Sequence, residues 1–133
     1  MEEISVHVEV EVNPTESDEK VKRAVENIFL DMKMQTKPLA RGNMLIGEAR
    51  SREAFTRFHN MLRRDRIRAA ARKVLLEGVS GKTVSFCLNK QVAYAGHVSF
   101  SKEEAESPLG PIKVRIHCSN PRELVKWLTS ENV

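Results

Sequence analysis

The sequence contains little of what marks secreted or membrane proteins. Two of its 133 residues are cysteine, too few for the disulfide framework of a small secreted domain, so a reducing compartment is the default. No apolar run approaches the length of about 18 residues that a membrane helix needs. The N-terminus opens Met1-Glu2-Glu3, without the basic and apolar segments of a signal peptide. We therefore expect a cytoplasmic protein without a membrane segment.

The chain also lacks repeats, low-complexity tracts and linkers, and its net charge is only +4. Hydrophobic residues make up 41% of the sequence, which is normal for a folded domain and argues against disorder. A domain of this size buries roughly two thirds of its unfolded surface, enough for a core without disulfides or a structural metal. We expect residues 1–133 to form a single domain.

Alternation of apolar and polar residues predicts most of the strands. Residues 4–12 alternate strictly with β-branched residues at every second position, and residues 84–88, 98–100 and 112–118 show the same period. Asn13-Pro14 ends the first strand. Helical spacing of apolar residues then follows each of the helix-start signals, which are Thr15 to Asp18, Ser51, Asp65 and Asn120-Pro121. Gly78 is expected to end the helix after Asp65 in a left-handed conformation. Strands with one polar face predict a mostly antiparallel sheet with the helices packed on one face. This is a two-layer α+β sandwich.

Charge is strongly segregated along the chain. Residues 1–32 contain nine acidic and three basic residues, a balance of −6, whereas residues 41–73 contain ten basic and three acidic residues, a balance of +7. Segregated charge creates a surface field that a balanced chain lacks. Whether the two segments neutralise each other in the fold decides how strongly this pattern favours a nucleic-acid partner.

The basic segment supplies the candidate site, on the predicted helices of residues 50–73. Arginine guanidinium groups match phosphate oxygens, so this stretch could contact an RNA backbone without reading its sequence. The alternative is an ordinary solvated helix face, since an amphipathic helix always has a polar side. The candidate nucleic-acid-binding residues are Arg50, Arg52, Arg57, Arg63, Arg64, Arg66, Arg68, Arg72 and Lys73.

Scarce aromatic residues argue against RNA binding by the sheet. The chain has five Phe, one Trp and one Tyr, and proteins that read single strands on a sheet stack bases on exposed aromatic rings. Phe86 and Phe100 fall on the apolar side of their strands, facing the helices. The remaining phenylalanines and Trp127 are expected in the core as well.

No motif argues for an enzyme or a cofactor. Gly81-Lys82-Thr83 resembles the end of a phosphate-binding loop, but Leu76 occupies the position of the required first glycine and the motif opens a strand. His7, His97 and His117 share the polar parity of predicted strands, so a metal-dependent enzyme stays a low-probability alternative. We expect no catalytic residues, no bound metal and no cofactor.

Three short strings point to a family. Residues 88–91 (LNKQ), 96–100 (GHVSF) and 107–112 (SPLGPI) resemble a conserved archaeal family of uncharacterised proteins. The resemblance implies a five-stranded antiparallel sheet with about five helices. That fold is similar to the RNA-recognition-motif-like domain of the large-subunit ribosomal protein that binds 5S RNA. It implies no enzymatic activity and no catalytic residues.

The leading hypothesis is a cytosolic binding module that contacts structured RNA phosphates through the basic helices of residues 50–73. The alternative is a protein–protein interaction module or a homodimer without nucleic-acid binding, which would use the open sheet face or an edge strand.

Overall fold

The computed structural model describes residues 4–101 and 110–130. Residues 107–109, which begin the predicted proline-rich turn, lie outside this part of the chain. All strand pairs in the described part are antiparallel and belong to one sheet.

The described strands are β1 (Ile4–Val12), β2 (Lys33–Pro38), β3 (Asn43–Ala49), β4 (Val79–Ser80), β5 (Thr83–Asn89), β6 (Phe100–Ser101) and β7 (Pro111–Cys118). The sheet has the strand order β2-β3-β1-β7-β5-β4, and β6 also pairs with β5. Five of the described strands contain six or more residues, as expected, while the two-residue strands β4 and β6 extend the outer edge of β5 and raise the number of described strands to seven. The α+β class and the antiparallel sheet are confirmed.

Alternation along the strands builds the inner face of the sheet. Val8 lies between Gly47 of β3 and Val114 of β7, and Val10 lies between Leu45 and Ile112 in the same manner. Side chains at every second position point to the same face, so the whole apolar set of each strand faces the helices. The apolar side chains that β1, β3, β5 and β7 present on this face are buried, apart from the half-buried Ile4.

In the described part of the chain, five α-helices and one 3-10 turn cover that inner face. Asn120 accepts a hydrogen bond from Glu123 N at 3.2 Å and Pro121 occupies the first turn, as the sequence predicts. Ser51 accepts from Glu53 N at 3.0 Å, but the turn it begins is 3-10 rather than α. The helices are α1 (Asp18–Glu26), the 3-10 turn (Arg52–Phe55), α2 (Thr56–Arg64), α3 (Arg68–Glu77), α4 (Lys90–Tyr94) and α5 (Pro121–Leu128).

Aromatic contacts hold the helix layer on the sheet. The Phe58 ring lies 5.5 Å from Phe29 and 5.7 Å from Phe86 of β5, measured between ring centroids. Phe86 also contacts Phe100 at 5.9 Å, which places both rings on the helix side as predicted. Phe100 and Trp127 are only partly buried and lie at the margin of the core.

Two local predictions are wrong. His97 does not lie on a strand, because the predicted strand of residues 98–100 is reduced to Phe100–Ser101. Gly78 does not end α3 in a left-handed conformation, since its φ is −86°. Glycine is needed there for a different reason: a Cβ at Gly78 would lie 2.0 Å from the carbonyl oxygen of Ser85. The end of α3 therefore lies directly against the backbone of β5.

Candidate nucleic-acid interface

The nine predicted residues lie along one continuous stretch of the helix layer. Arg50 follows β3, Arg52 begins the 3-10 turn, and Arg66 lies between α2 and α3. Arg57, Arg63 and Arg64 belong to α2, and Arg68, Arg72 and Lys73 belong to α3. All are exposed except Arg63 and Arg68, which are half-buried.

Among the described residues, no ion pair joins the acidic N-terminal segment to this basic stretch. Within residues 4–101 and 110–130, its acids pair elsewhere: Glu16 with Lys90 at 2.9 Å and Glu9 with His7 at 2.8 Å. Arg57 Nη1 instead donates a hydrogen bond to the backbone carbonyl oxygen of Glu26 at 2.6 Å. A backbone carbonyl leaves the arginine charge unpaired, so the basic stretch keeps its charge.

Two arginines of α2 hold neighbouring segments in place. Arg57 contacts the last residue of α1, where unpaired carbonyls favour a cation. Arg64 Nε lies 3.1 Å from Asp65 Oδ1, and its Nη2 donates to the carbonyl oxygen of Gly96. These contacts orient the helices as well as supply charge.

The Asp65 carboxylate explains how α2 meets the loop before β6. It accepts a hydrogen bond from Val98 N at 3.2 Å, and His97 Nδ1 lies 3.2 Å away. Burial raises the pKa of Asp65, but hydrogen bonds from Arg64, Val98 and His97 outweigh it and leave the pKa below the ordinary value of 3.8. The carboxylate is therefore ionised and pairs with Arg64, the arginine next to it.

Two arginines of α3 reach the C-terminal end of α5. Arg68 Nη1 donates to the carbonyl oxygen of Ser130 at 3.3 Å, and Arg72 Nε donates to Thr129 Oγ1 at 3.0 Å. Residues four apart share a helix face, so this face of α3 lies along α5. Arg68 and Arg72 therefore have a structural function in addition to their charge.

An open depression lies at the junction of α2 and α3. It is lined by Asn60, Arg63, Arg64 and Arg68. Arg66 projects from the same junction with a φ of 57°, a left-handed conformation that turns the chain sharply between the helices. Three guanidinium groups around one concave surface form a setting suited to phosphate oxygens.

Sequence reasoning missed an aromatic stack beside this depression. Trp127 of α5 stacks on His59 of α2, with ring centroids 4.6 Å apart and planes 10° apart. The guanidinium carbon of Arg52 lies over the Trp127 ring, 4.9 Å from its centroid. The signal in the sequence is weak, because a single Trp at helical spacing among apolar residues is equally expected in the core.

His59 is neutral in this stack. Its residue is only 5% exposed and its Nε2 has no hydrogen-bond partner in the described part of the chain. Burial lowers the pKa of His59 below the ordinary value of 6.5, and the positive charge of Arg63, one helical turn away, lowers it further. The imidazole therefore supports Trp127 without adding charge.

The open face of the sheet carries acidic side chains on β1 and basic side chains on the neighbouring strand β7. Glu9 of β1 lies opposite Lys113 of β7, and His7 lies opposite Arg115. His7 also contacts Glu48 of β3, with 3.5 Å between Nδ1 and Oε1. At the described outward positions of β1, β5 and β7, histidine supplies the only aromatic rings, which disfavours base stacking on this face.

The three histidines do not meet. His7 and His117 lie on the open sheet face, on neighbouring strands and in diagonal positions. His97 lies beside Asp65 at the helix layer, so the predicted common face is wrong for this residue. Among the described residues, no group of three or more His, Cys, Asp or Glu side chains could hold a metal ion.

The remaining sequence motif is a simple turn. Gly81 and Lys82 connect β4 to β5, and Gly81 adopts a φ of 59°. No helix begins there, so the motif lacks the helix N-terminus that a phosphate-binding loop requires. In the described residues, no helix is long and apolar enough to cross a membrane.

Comparison with known proteins gives the family. A family model described as RNA binding matches residues 5–118. A UPF0201 protein of Sulfurisphaera tokodaii is 41% identical over 122 residues, which are 92% of this chain and 84% of that protein. This chain belongs to the UPF0201 family. A UPF0201 protein of Sulfolobus acidocaldarius is 43% identical over 124 residues, covering 93% of this chain and 86% of that protein.

Solved UPF0201 structures share the fold. The 2.2 Å crystal structure of the UPF0201 protein from Methanococcus jannaschii has a TM-score of 0.85 and 30% sequence identity, covering 95% of this chain and 99% of that chain. A DUF54 protein from Methanothermobacter thermautotrophicus has a TM-score of 0.67 at 16% identity, covering 96% and 99%, and shows the fold alone. The expected archaeal family is therefore confirmed. The likeness to the ribosomal 5S-RNA-binding domain stays a prediction.

Proposed function

We propose that this UPF0201 chain is a non-enzymatic, single-domain binding module that contacts the phosphates of structured RNA through its helix layer. The observation that carries the proposal is the absence of direct ion pairs, within the described residues, between the acidic N-terminal segment and the nine basic residues. The match to a family model described as RNA binding supports the same partner class.

The nine residues divide into two groups by their contacts. Arg57, Arg64, Arg68 and Arg72 donate to groups of the protein itself and fix the helices relative to one another. The side chains of the other five make no hydrogen bond or ion pair with the described residues. These five are Arg50, Arg52, Arg63, Arg66 and Lys73. We assign them the phosphate contacts.

The mechanism is electrostatic. Each phosphate neutralised by an arginine or lysine releases condensed counterions, so the logarithm of the affinity falls with the logarithm of salt concentration by about 0.9 per duplex phosphate contact. Helix-borne arginines fix the position of the backbone without reading bases. Binding should therefore depend on the shape and charge of the RNA much more than on its sequence.

Fluorescence anisotropy with a labelled RNA hairpin tests the proposal. We expect the double variant Arg63→Gln/Arg66→Gln to weaken binding and to reduce the salt slope by about two. The matched control is Lys33→Gln/Lys37→Gln on the exposed strand β2, which removes the same charge elsewhere. Equal effects of the two double variants would show dependence on net charge alone and would contradict a site on the helices.

Sedimentation of the free protein at high concentration tests the alternative function, a protein–protein interaction module. A dimer without RNA affinity would support a protein-interaction module and contradict RNA binding. RNA affinity in a monomeric protein is the result expected here.

A further inference from the structure

The aromatic stack beside the basic depression includes a contact that electrostatic attraction to phosphates alone would not require. Arg52 is exposed, yet its guanidinium lies over Trp127 at 4.9 Å from the ring centroid. A cation at this distance from an indole face is attracted to it. The side chain is thereby held in one place although no carboxylate pairs with it in the described residues.

His59 forms the buried side of the aromatic stack. Trp127 rests on His59, which is nearly fully buried and anchored in α2 between core side chains. Because the imidazole is neutral, it does not repel the guanidinium across the indole. Arg63 lies one turn after His59 and lines the depression. Arg52 and Arg63 therefore border the same His59–Trp127 pair.

We propose that Arg52, positioned by Trp127 and His59, is a preorganised anchor that grips one RNA phosphate with two parallel hydrogen bonds. The proposal rests on the proposed RNA-binding function and adds a specific contact to it. A guanidinium resting on an aromatic ring keeps its N–H donors free at the edge, where they match two phosphate oxygens. A lysine has the charge but neither the fork nor the planar surface.

The decisive variant is Arg52→Lys, which preserves charge and removes the fork. We expect the affinity for an RNA hairpin to fall about tenfold, corresponding to roughly 1.4 kcal/mol, while the salt slope stays unchanged because the charge remains. Arg41→Lys, in the exposed turn between β2 and β3, is the matched control and should bind as wild type does. Equal affinities of Arg52→Lys, Arg41→Lys and wild type would overturn the anchor and leave general RNA binding intact. Wild-type protein that fails to bind RNA would overturn both proposals.

A second pair of variants tests the positioning by Trp127. Trp127→Leu should weaken binding about as much as Arg52→Lys, with the salt slope again unchanged, whereas Trp127→Phe retains an aromatic face and should restore most of the affinity. Trp127→Leu and Trp127→Phe with equally weak binding would contradict a function of the aromatic face. Circular dichroism of both proteins shows whether the fold is retained.

Two further measurements distinguish a phosphate of the RNA backbone from a stacked base and from a free anion. Trp127 is the only tryptophan, so its emission reports on the stack directly. Strong quenching by RNA together with unchanged affinity of Arg52→Lys would indicate a base stacked on Trp127 and would overturn the phosphate anchor.

Inorganic phosphate at about 1 mM and constant ionic strength should not displace the RNA, since one phosphate gains only one of the contacts that the backbone makes. Displacement at that concentration would identify a free anion as the ligand.

Discussion

Arg72 Nε donates a hydrogen bond to Oγ1 of the buried Thr129 at 3.0 Å, which joins α3 to the C-terminal end of α5. Thr129 Oγ1 in turn donates to the carbonyl oxygen of Val125 at 2.8 Å. The threonine hydroxyl thus uses both its donor and an acceptor position. Arg72 of the basic stretch is therefore part of the helix packing, and we expect its substitution to lower the stability of the fold.

Arg72→Gln should lower the free energy of unfolding by about 1 kcal/mol, because the hydrogen bond to a buried hydroxyl is lost. Urea denaturation measures this change. Lys73→Gln is the control, since its exposed side chain has no contact of this kind in the described residues, and it should change stability by no more than about 0.5 kcal/mol. Equal losses in the two variants would contradict a structural function of Arg72.

A buried ion pair joins α4 to the turn after β1. The Lys90 ammonium is 2.9 Å from Glu16 Oε1 and 2.7 Å from the carbonyl oxygen of Glu11. Burial raises the pKa of Glu16, but hydrogen bonds from Asn13 and Lys90 outweigh it and leave the pKa below the ordinary value of 4.5. A carboxyl group whose pKa is lowered by folding stabilises the fold fully when the pH is above its pKa in the unfolded chain. This stabilisation is lost as the pH falls through its pKa in the folded state.

Lys90→Met should therefore lower stability by about 3 kcal/mol near neutral pH, because an unpaired carboxylate stays partly buried. The loss should shrink at about pH 4, where wild type loses the contribution of ionised Glu16. Urea denaturation at both pH values measures the change, and Lys82→Met on the exposed β4–β5 turn is the control. A loss of the same size at both pH values would contradict the assignment to this pair.

The neutral His59 predicts a second pH dependence. Its pKa is lowered by burial and by Arg63. The stability that neutral His59 contributes is therefore complete above the ordinary pKa of 6.5 and is lost as the pH falls through the pKa of the folded state. His59→Phe retains a ring against Trp127 and removes an unpaired buried nitrogen. We expect it to be at least as stable as wild type near pH 7, and to gain relative to wild type near pH 5. A stability difference that does not change with pH would argue against a buried neutral imidazole.

The sheet could be predicted from the sequence because its signal is local. In β1, apolar residues alternate with Ser5, His7, Glu9 and Glu11, and this pattern alone determines which side faces the helices. Asn120 and Pro121 predict the start of α5 in the same local way.

The details of the candidate site could not be predicted, because they depend on residues far apart in the chain. Asp65 resembles a helix cap in the sequence, yet it binds Val98 and His97 more than 30 positions away. Glycine at position 78 suggests a left-handed helix end, whereas the structure requires it for the close approach to Ser85. Arg52 and Trp127 come together only because α5 packs beside α2.

The salt dependence of RNA binding is the sharpest test of phosphate contacts on the helix layer. A labelled RNA hairpin is titrated with wild type, Arg63→Gln/Arg66→Gln and Lys33→Gln/Lys37→Gln at several salt concentrations. We expect a steep slope for wild type, a slope lower by about two for the helix variant, and a smaller change for the strand variant. Absence of binding by wild type at about 50 mM salt, where electrostatic contacts are strongest, would contradict the claim.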